Sequence, residues 1–321
     1  MQGFHIALLE LTWAPFRTGF PAGEQTDKLV LDNGGLHMLK HTMTENKKKM
    51  QGAKFFLIIL AGTVLAVLLH QLHHDPLMTL STKAKSIIIT SGFFPPVAFA
   101  SLAMAFTVMG FVFLAIQKTL HGTKLYKGTL FGVALGGMYL VGMFEVYVVY
   151  PVSFFGEFYT GLVDGSGILL MSLLLGKYIA VDMPDGERPS RPAFPAIVII
   201  PVIYVLLRYF SYTVLHVESS YSTQPLATFI WTLGMGCWIG VMYILIGRGI
   251  RHENPLKQAM VFGGLVFGIN WIIYNLFTLL FIRVPVLDLL SRSILDAIAI
   301  IAGVYVSLLI SNKQVMPQDV V

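Results

Sequence analysis

Three charged residues, Asp288, Arg292 and Asp296, recur at intervals of four in the last apolar stretch of the chain. At about 100° per residue on a helix they share one face, and small residues continue that face towards the C-terminus. Asp296 lies about ten residues into the stretch, where an unpaired charge inside a bilayer costs several kcal/mol. The sequence therefore predicts that this charged stripe faces protein and not lipid.

Two interpretations of the stripe fit its residue types. In the first, Asp296 binds a proton or a cation, and Arg292 tunes this carboxylate or binds an anion, because ionisable groups inside a membrane tend to mark pathways. In the second, the stripe is an ion ladder that ties the last helix to its neighbours. We favour the first interpretation.

Further polar side chains are predicted near the same membrane face. Glu145 lies near the C-terminus of its helix, where the dipole disfavours a carboxylate, so we expect it to face a cavity. Asp164 suits an N-terminal helix cap, although it remains a pathway candidate. His70 and Arg208 occupy matching places in a predicted internal repeat. The complete candidate pathway is Glu145, Asp164, Arg208, Asp288, Arg292 and Asp296.

A histidine cluster, His70, His73 and His74, invites comparison with a metal site, since histidines one turn apart can share an ion. Pro76 ends the helix at this point, so we predict a solvated cluster without a metal and expect no cofactor. The sequence contains no nucleophile elbow, no His-Glu-x-x-His motif and no phosphate-binding loop. Catalytic residues therefore cannot be assigned, and a non-enzymatic role is favoured.

Aromatic side chains crowd two connections near the same face, from Tyr147 to Tyr159 and from Tyr209 to Tyr221. A belt of aromatic residues at the membrane interface explains most of them. The alternative is a cage for an organic cation or an amphiphile, with charge from Glu145, Glu157 and Glu218.

The chain that must position these residues is dominated by apolar stretches. It is 55% hydrophobic and 12% charged, with a mean hydropathy of +0.73, whereas soluble domains carry about 25% charged residues. Eight stretches are each long enough to cross a bilayer as a helix. They are Lys54–His70, Gly92–Gln117, Gly128–Val149, Gly161–Val181, Ala193–Tyr209, Thr228–Gly247, Met260–Phe281 and Leu287–Ile310.

The positive charges alternate between the connections. Lysine and arginine cluster before the first stretch and after the second, fourth, sixth and eighth, as with Lys118, Lys124 and Lys127. By the positive-inside rule, both termini are cytoplasmic in a multi-pass protein of the cytoplasmic membrane. The net charge of +5 is explained by these loops, so the lipid bilayer is the expected partner and nucleic acid is not.

The two halves of the chain resemble each other. The segment Met109–Lys118 parallels Ile239–Arg248, and Val67–His70 parallels Val205–Arg208. The two four-span halves could be parallel repeats, an arrangement found in some transporters, although chance similarity among apolar helices is the alternative. We divide the chain into an N-terminal tail at residues 1–42, either disordered or translated from an upstream start, and two four-span halves at residues 43–181 and 182–321.

The predicted fold is an all-α polytopic transmembrane helical bundle of about eight spans. The predicted function is a permease-like, secondary-transport role, in which an outward-opening polar cavity binds a small molecule or cation. Two rivals remain open: a membrane-embedded enzyme acting on a lipid or lipid-linked substrate, and a non-catalytic sensor or assembly subunit.

Overall fold

The computed structural model describes residues 33–72, 85–150, 152–182, 194–217, 219–250, 252 and 254–315. Eight of its helices are long and apolar enough to cross a membrane, and the described residues form no strand. The predicted all-α bundle of eight spans is thereby confirmed. These eight long helices are α1 Asn33–Gln71, α2 Phe94–Ile116, α3 Lys124–Val149, α4 Phe154–Ile179, α5 Phe194–Thr213, α6 Pro225–Leu245, α7 Pro255–Phe281 and α8 Val286–Val315.

Close helix packing depends on small residues, which let two helix backbones approach each other. A β-carbon on Gly136 of α3 would lie 3.1 Å from the carbonyl oxygen of Gly165 in α4. A β-carbon on Gly236 of α6 would lie 2.9 Å from the Cα of Pro201 in α5. Both contacts are with backbone, so these two helix pairs approach as closely as they do only because the glycines lack side chains.

Helix α4 begins earlier than the sequence predicts. Ser153 caps its N-terminus by accepting a hydrogen bond from the backbone N–H of Gly156. Asp164 therefore lies inside the helix, and the predicted role of Asp164 as an N-terminal cap is wrong. The aromatic-rich segment after Ser153 continues the helix instead of forming a loop, which brings Glu157 and Asp164 into the bundle.

Helix α1 also begins earlier, at Asn33, so it extends into the region assigned to the N-terminal tail. Helix α7 contains a π-helical segment, Val261–Gly268, directly before its last α-helical segment, Ile269–Phe281. Such a segment adds a residue to the helical turn and changes which side chains face the neighbouring helices. Trp271, which contacts Asp296 of the charged stripe, is the third residue after this segment.

Lys127 ties three helices together at the predicted cytoplasmic side. Its side chain is fully buried, and its Nζ donates to the carbonyl oxygens of Gln117 at 2.9 Å and Val181 at 2.8 Å. The side-chain oxygen of Gln117 accepts from the backbone N–H of Val181 at 3.1 Å. Lys127 is therefore a structural brace between α2, α3 and the end of α4, in addition to the loop charge that the positive-inside pattern assigns to it.

Candidate functional site

Arg208 of α5 lies at the centre of a buried ion network and is 1% exposed. Its Nε donates to Oδ1 of Asp296 at 2.7 Å and its Nη2 to Oδ2 at 2.6 Å, a bidentate pair. Its Nη1 donates to Oε1 of Glu145 at 2.8 Å and to the hydroxyl of Tyr212 at 3.1 Å. Charge-assisted bidentate pairs are among the strongest hydrogen bonds in proteins, so Arg208 is held in one orientation.

Aromatic rings complete the surroundings of this guanidinium. Its carbon lies 4.9 Å from the ring centre of Trp231, 5.6 Å from that of Tyr204 and 5.9 Å from that of Tyr212. The indole N–H of Trp271 donates to Oδ2 of Asp296 at 2.7 Å. The fold thus holds a planar organic cation between carboxylates and aromatic faces, a combination that attracts cations strongly where water is excluded.

Arg292 extends the network towards the start of α8. Its Nη1 donates to Oε1 of Glu145 at 3.2 Å, and its Nη2 donates to Oδ2 of Asp288 at 3.2 Å. Glu145 therefore joins the two arginines through one oxygen. Asp288 forms the edge of the network, since 22% of its side chain is exposed, compared with 3% for Asp296.

The structure brings five of the six candidate residues together in this network: Glu145, Arg208, Asp288, Arg292 and Asp296. Asp296 pairs with Arg208 from another helix, a contact that the spacing within the stripe could not predict. The stripe faces protein, as expected. Asp164, the sixth candidate, contacts His70 instead and lines a separate cavity, whose described lining includes none of the other five.

That separate site is a cavity of about 580 Å³ between α1, α2, α3, α4 and α7. Within it, Nε2 of His70 lies 3.0 Å from Oδ1 of Asp164. Glu157 and Lys85 also line the cavity, with Thr160 and Thr278. The apolar lining includes Phe94, Phe99, Leu102, Met143, Phe277 and Phe281.

Two buried tyrosines lie in the wall of this cavity. Tyr139 is 3% exposed and Tyr274 is 7% exposed, and neither hydroxyl has a hydrogen-bond partner among the described residues. The ring of Tyr274 stacks on that of Trp271, with ring centres 4.7 Å apart. Because Trp271 also donates to Asp296, Tyr274 and Trp271 form a direct structural connection between the cavity and the ion network.

Tyr139, Tyr274 and the phenylalanines of the cavity were not among the site residues predicted from sequence. The sequence signal that could have identified the two tyrosines is their position in the interior of an apolar stretch. Aromatic belts lie near the ends of such stretches. Of the charges proposed for an aromatic cage, Glu157 lines the cavity and Glu145 belongs to the network. Glu218 lies outside the described residues.

Among the described residues, no group of three His, Cys, Asp or Glu side chains is arranged to hold a metal ion. His70 contacts Asp164, whereas His73 and His74 lie outside the described residues.

The chain was compared with protein-family models, with curated proteins and with solved structures, and none of them matches it.

Proposed function

We propose that this chain is a permease-like membrane protein that binds a small solute in the cavity beside His70 and Asp164. The cavity volume of about 580 Å³ falls within the roughly 300–1,000 Å³ range of small-molecule sites. Its lining is also typical of such sites, which place a few polar groups in a largely apolar wall. Residues at helix ends on the predicted external side, such as Phe94 and Phe281, line it, which supports entry from that side.

The cavity, with the His70–Asp164 pair in its largely apolar wall, is the observation that carries the proposal. Tyr139 and Tyr274 of the same wall have buried hydroxyls without a partner in the described part of the chain, and a buried polar group without a hydrogen bond costs about 1–3 kcal/mol. The ion network alone would suit a structural subunit, since its charges pair internally. The cavity and its polar pair favour a protein that binds a ligand.

A second candidate function is favoured by the contact between His70 and Asp164. A histidine oriented by a carboxylate is a common general acid or base, and this one lies beside an apolar cavity of amphiphile size. A membrane-embedded enzyme acting on a lipid-linked substrate would therefore also use this site. Incubation of the reconstituted protein with native membrane lipids, followed by mass spectrometry, distinguishes the two functions: an enzyme leaves a changed lipid, whereas a permease does not.

Obstructing the cavity should weaken solute binding. Ala98 of α2 lines the cavity, whereas Ala100, two positions further along the same helix, is exposed and lies outside the cavity wall. A solute that raises the melting temperature of the wild type should bind Ala98→Trp at least about tenfold more weakly, because the indole occupies part of the cavity. Ala100→Trp should bind as the wild type does.

The measurement is a thermal-stability screen of metabolites on purified protein, followed by uptake of each positive solute into proteoliposomes. Equal stabilisation of Ala98→Trp and Ala100→Trp would place the binding site elsewhere. Stabilisation without uptake would exclude transport of that solute.

The orientation of the chain in the cytoplasmic membrane is also part of the proposal, since it rests on the lysine and arginine distribution. Reporter fusions after Gly122 and His252 should report a cytoplasmic location, and fusions after Val152 and Arg283 an external one. The reverse pattern at all four points would invert the bundle and open the cavity to the cytoplasm.

A further inference from the structure

The pair His70–Asp164 and the pair Arg208–Asp296 occupy corresponding positions in the two halves of the chain. His70 lies in α1 and Arg208 in α5, the first helix of each half, while Asp164 lies in α4 and Asp296 in α8, the last helix of each half. Each pair joins the first and last helices of its half by a direct side-chain contact. If the two pairs correspond, α1 and α4 must pack in the same register as α5 and α8. Other contacts between these helices test that requirement.

A second contact between these helices has the same spacing along the chain. A β-carbon on Gly62 would lie 2.9 Å from the β-carbon of Met171, and a β-carbon on Gly303 would lie 3.1 Å from the Cα of Ile200. The sequence separation of Gly62 and Ile200 equals that of His70 and Arg208. The separation of Met171 and Gly303 likewise equals that of Asp164 and Asp296. Helices α1 and α4 therefore meet in the same register as α5 and α8.

The contacts of the third helix with the fourth helix of each half also involve residues at matching positions. Gly132 of α3 contacts Leu169 of α4, and Gly263 of α7 contacts Ile301 of α8. Leu169 and Ile301 have the same sequence separation as Asp164 and Asp296, and the separation of Gly132 and Gly263 is shorter by a single position. The contacts thus agree on two separate helix interfaces, which supports the internal repeat that the sequence predicts.

The two corresponding sites differ in what fills them. In the second half, the long side chain of Arg208 occupies the space against Asp296 with its guanidinium. In the first half, the shorter side chain of His70 contacts Asp164, and a cavity of about 580 Å³ remains beside it. The second half therefore supplies an organic cation from its own chain, the guanidinium of Arg208. The first half has room for such a cation as a separate ligand.

The charges in the cavity favour a cation. Asp164 and Glu157 are opposed by Lys85, so the described lining carries a net negative charge when His70 is neutral. The cavity is also bounded by aromatic side chains, as is the guanidinium of Arg208. Such walls suit a cationic head group carrying an apolar body.

We infer that the cavity binds a monovalent, amphiphilic organic cation, an amine or a guanidinium with an apolar body, through the carboxylate of Asp164. The head group lies against Asp164 as the guanidinium of Arg208 lies against Asp296. The apolar body lies among Phe94, Phe99 and Phe277. This inference rests on the proposed function, which makes the cavity the solute site, and adds the chemical class of the solute.

Tyr139 occupies the position in the first half that matches Trp271 in the second half. The π-helical segment of α7 adds one position after Gly263, so the separation between matching residues of α3 and α7 increases by one beyond it. With this larger separation, Tyr139 of α3 corresponds to Trp271 of α7. Trp271 donates its N–H to Asp296, whereas the hydroxyl of Tyr139 has no partner within the described ranges. Tyr139 therefore holds the place of Trp271 without the contact to a carboxylate that Trp271 makes.

Three compounds that share one apolar body and differ in head group test the charge. They are 4-phenylbutylamine, 4-phenylbutyrate and 4-phenylbutan-1-ol, titrated calorimetrically into purified full-length protein in detergent micelles. The amine should bind at least about tenfold more tightly than the other two. Asp164→Asn should remove that preference, and Asp182→Asn, which changes an exposed carboxylate outside the cavity, should retain it.

His70→Arg tests the correspondence itself. The new guanidinium should pair with Asp164 and occupy the place of the amine head group, so the melting temperature should rise and amine binding should be lost. Adding Asp164→Asn to this variant should remove the gain in melting temperature. His70→Gln, which has no positive charge and leaves the cavity open, should still bind the amine.

The results separate this inference from the proposed function. Tighter binding of the butyrate or the alcohol, with loss of binding in Ala98→Trp, would overturn the cation inference and leave the solute-binding function intact. Failure of all three compounds to bind would overturn the inference as well, and the metabolite screen would then decide the function. His70→Arg that still binds the amine as the wild type does would also overturn it.

Discussion

Arg208→Leu should destabilise the protein by about 3–5 kcal/mol, the usual cost of removing one partner of a buried ion pair. The substitution leaves the carboxylate of Asp296, 3% exposed, without its bidentate partner, and it removes one of the two guanidinium contacts of Glu145. No water is at hand inside a bilayer to replace these contacts. We expect a much lower yield of folded protein and a melting temperature reduced by many degrees in detergent.

Removing both members of the pair should be far less harmful than removing either one. The double variant Arg208→Leu, Asp296→Leu leaves no unpaired charge, because Glu145 keeps its contact with Arg292. The indole N–H of Trp271 loses its acceptor, so a residual cost of about 1 kcal/mol is expected. A double-mutant cycle on melting temperature measures the coupling, and additive effects of the two single substitutions would contradict the pairing.

Asp288→Leu is the matched control on the same helix. Asp288 also pairs with an arginine, but 22% of its side chain is exposed, and partly solvated ion pairs contribute about 0–1 kcal/mol. If the double variant folds and still takes up the solute, the network is a structural support for the cavity. If it folds without uptake, the charged stripe takes part in transport, as the sequence interpretation favoured.

The number of helices was predictable because a bilayer allows few alternatives. Each span must be about 20 residues long and largely apolar, and its backbone must satisfy its own hydrogen bonds. The ends of the spans were less predictable, as Asp164 illustrates. A carboxylate shortly before two glycines is compatible with a helix cap. It is equally compatible with a position inside a longer helix whose first turns are aromatic and lie at the membrane interface.

The inward direction of Asp296 was predictable from the cost of a charge in lipid, but its partner was not. Arg208 lies 88 residues earlier, and which helix packs beside α8 depends on the whole bundle. The cavity was harder still. Phe94 and Phe99 are apolar residues in an apolar helix, and the sequence carries no signal that separates a cavity wall from a lipid-facing surface. The match between His70 and Arg208 was visible as a repeat, whereas the space left by the shorter side chain was not.

A second large effect is expected at Gly128, where α3 and α4 cross closely at the end opposite the cavity. A β-carbon there would overlap the backbone carbonyl oxygen of Ser172 and would lie 3.1 Å from the Cα of Gly176. Neither atom can move by changing a side-chain rotamer, so the two helices must separate. Overpacking of this kind costs about 1–3 kcal/mol, and we expect Gly128→Ala to reach the upper part of that range and Gly128→Leu to exceed it.

Gly234→Ala is the control for helix propensity. A β-carbon added to Gly234 in α6 would meet no atom of the described residues within 4 Å, so alanine should be neutral or stabilise by up to about 1 kcal/mol. Melting temperatures of the two alanine variants give the comparison, and equal values would show that α3 and α4 can separate without cost. Because Tyr139 belongs to α3 and Asp164 to α4, separation of the two helices should also weaken amine binding in Gly128→Ala. Gly234→Ala should leave amine binding unchanged, since the described lining of the cavity includes no residue of α6.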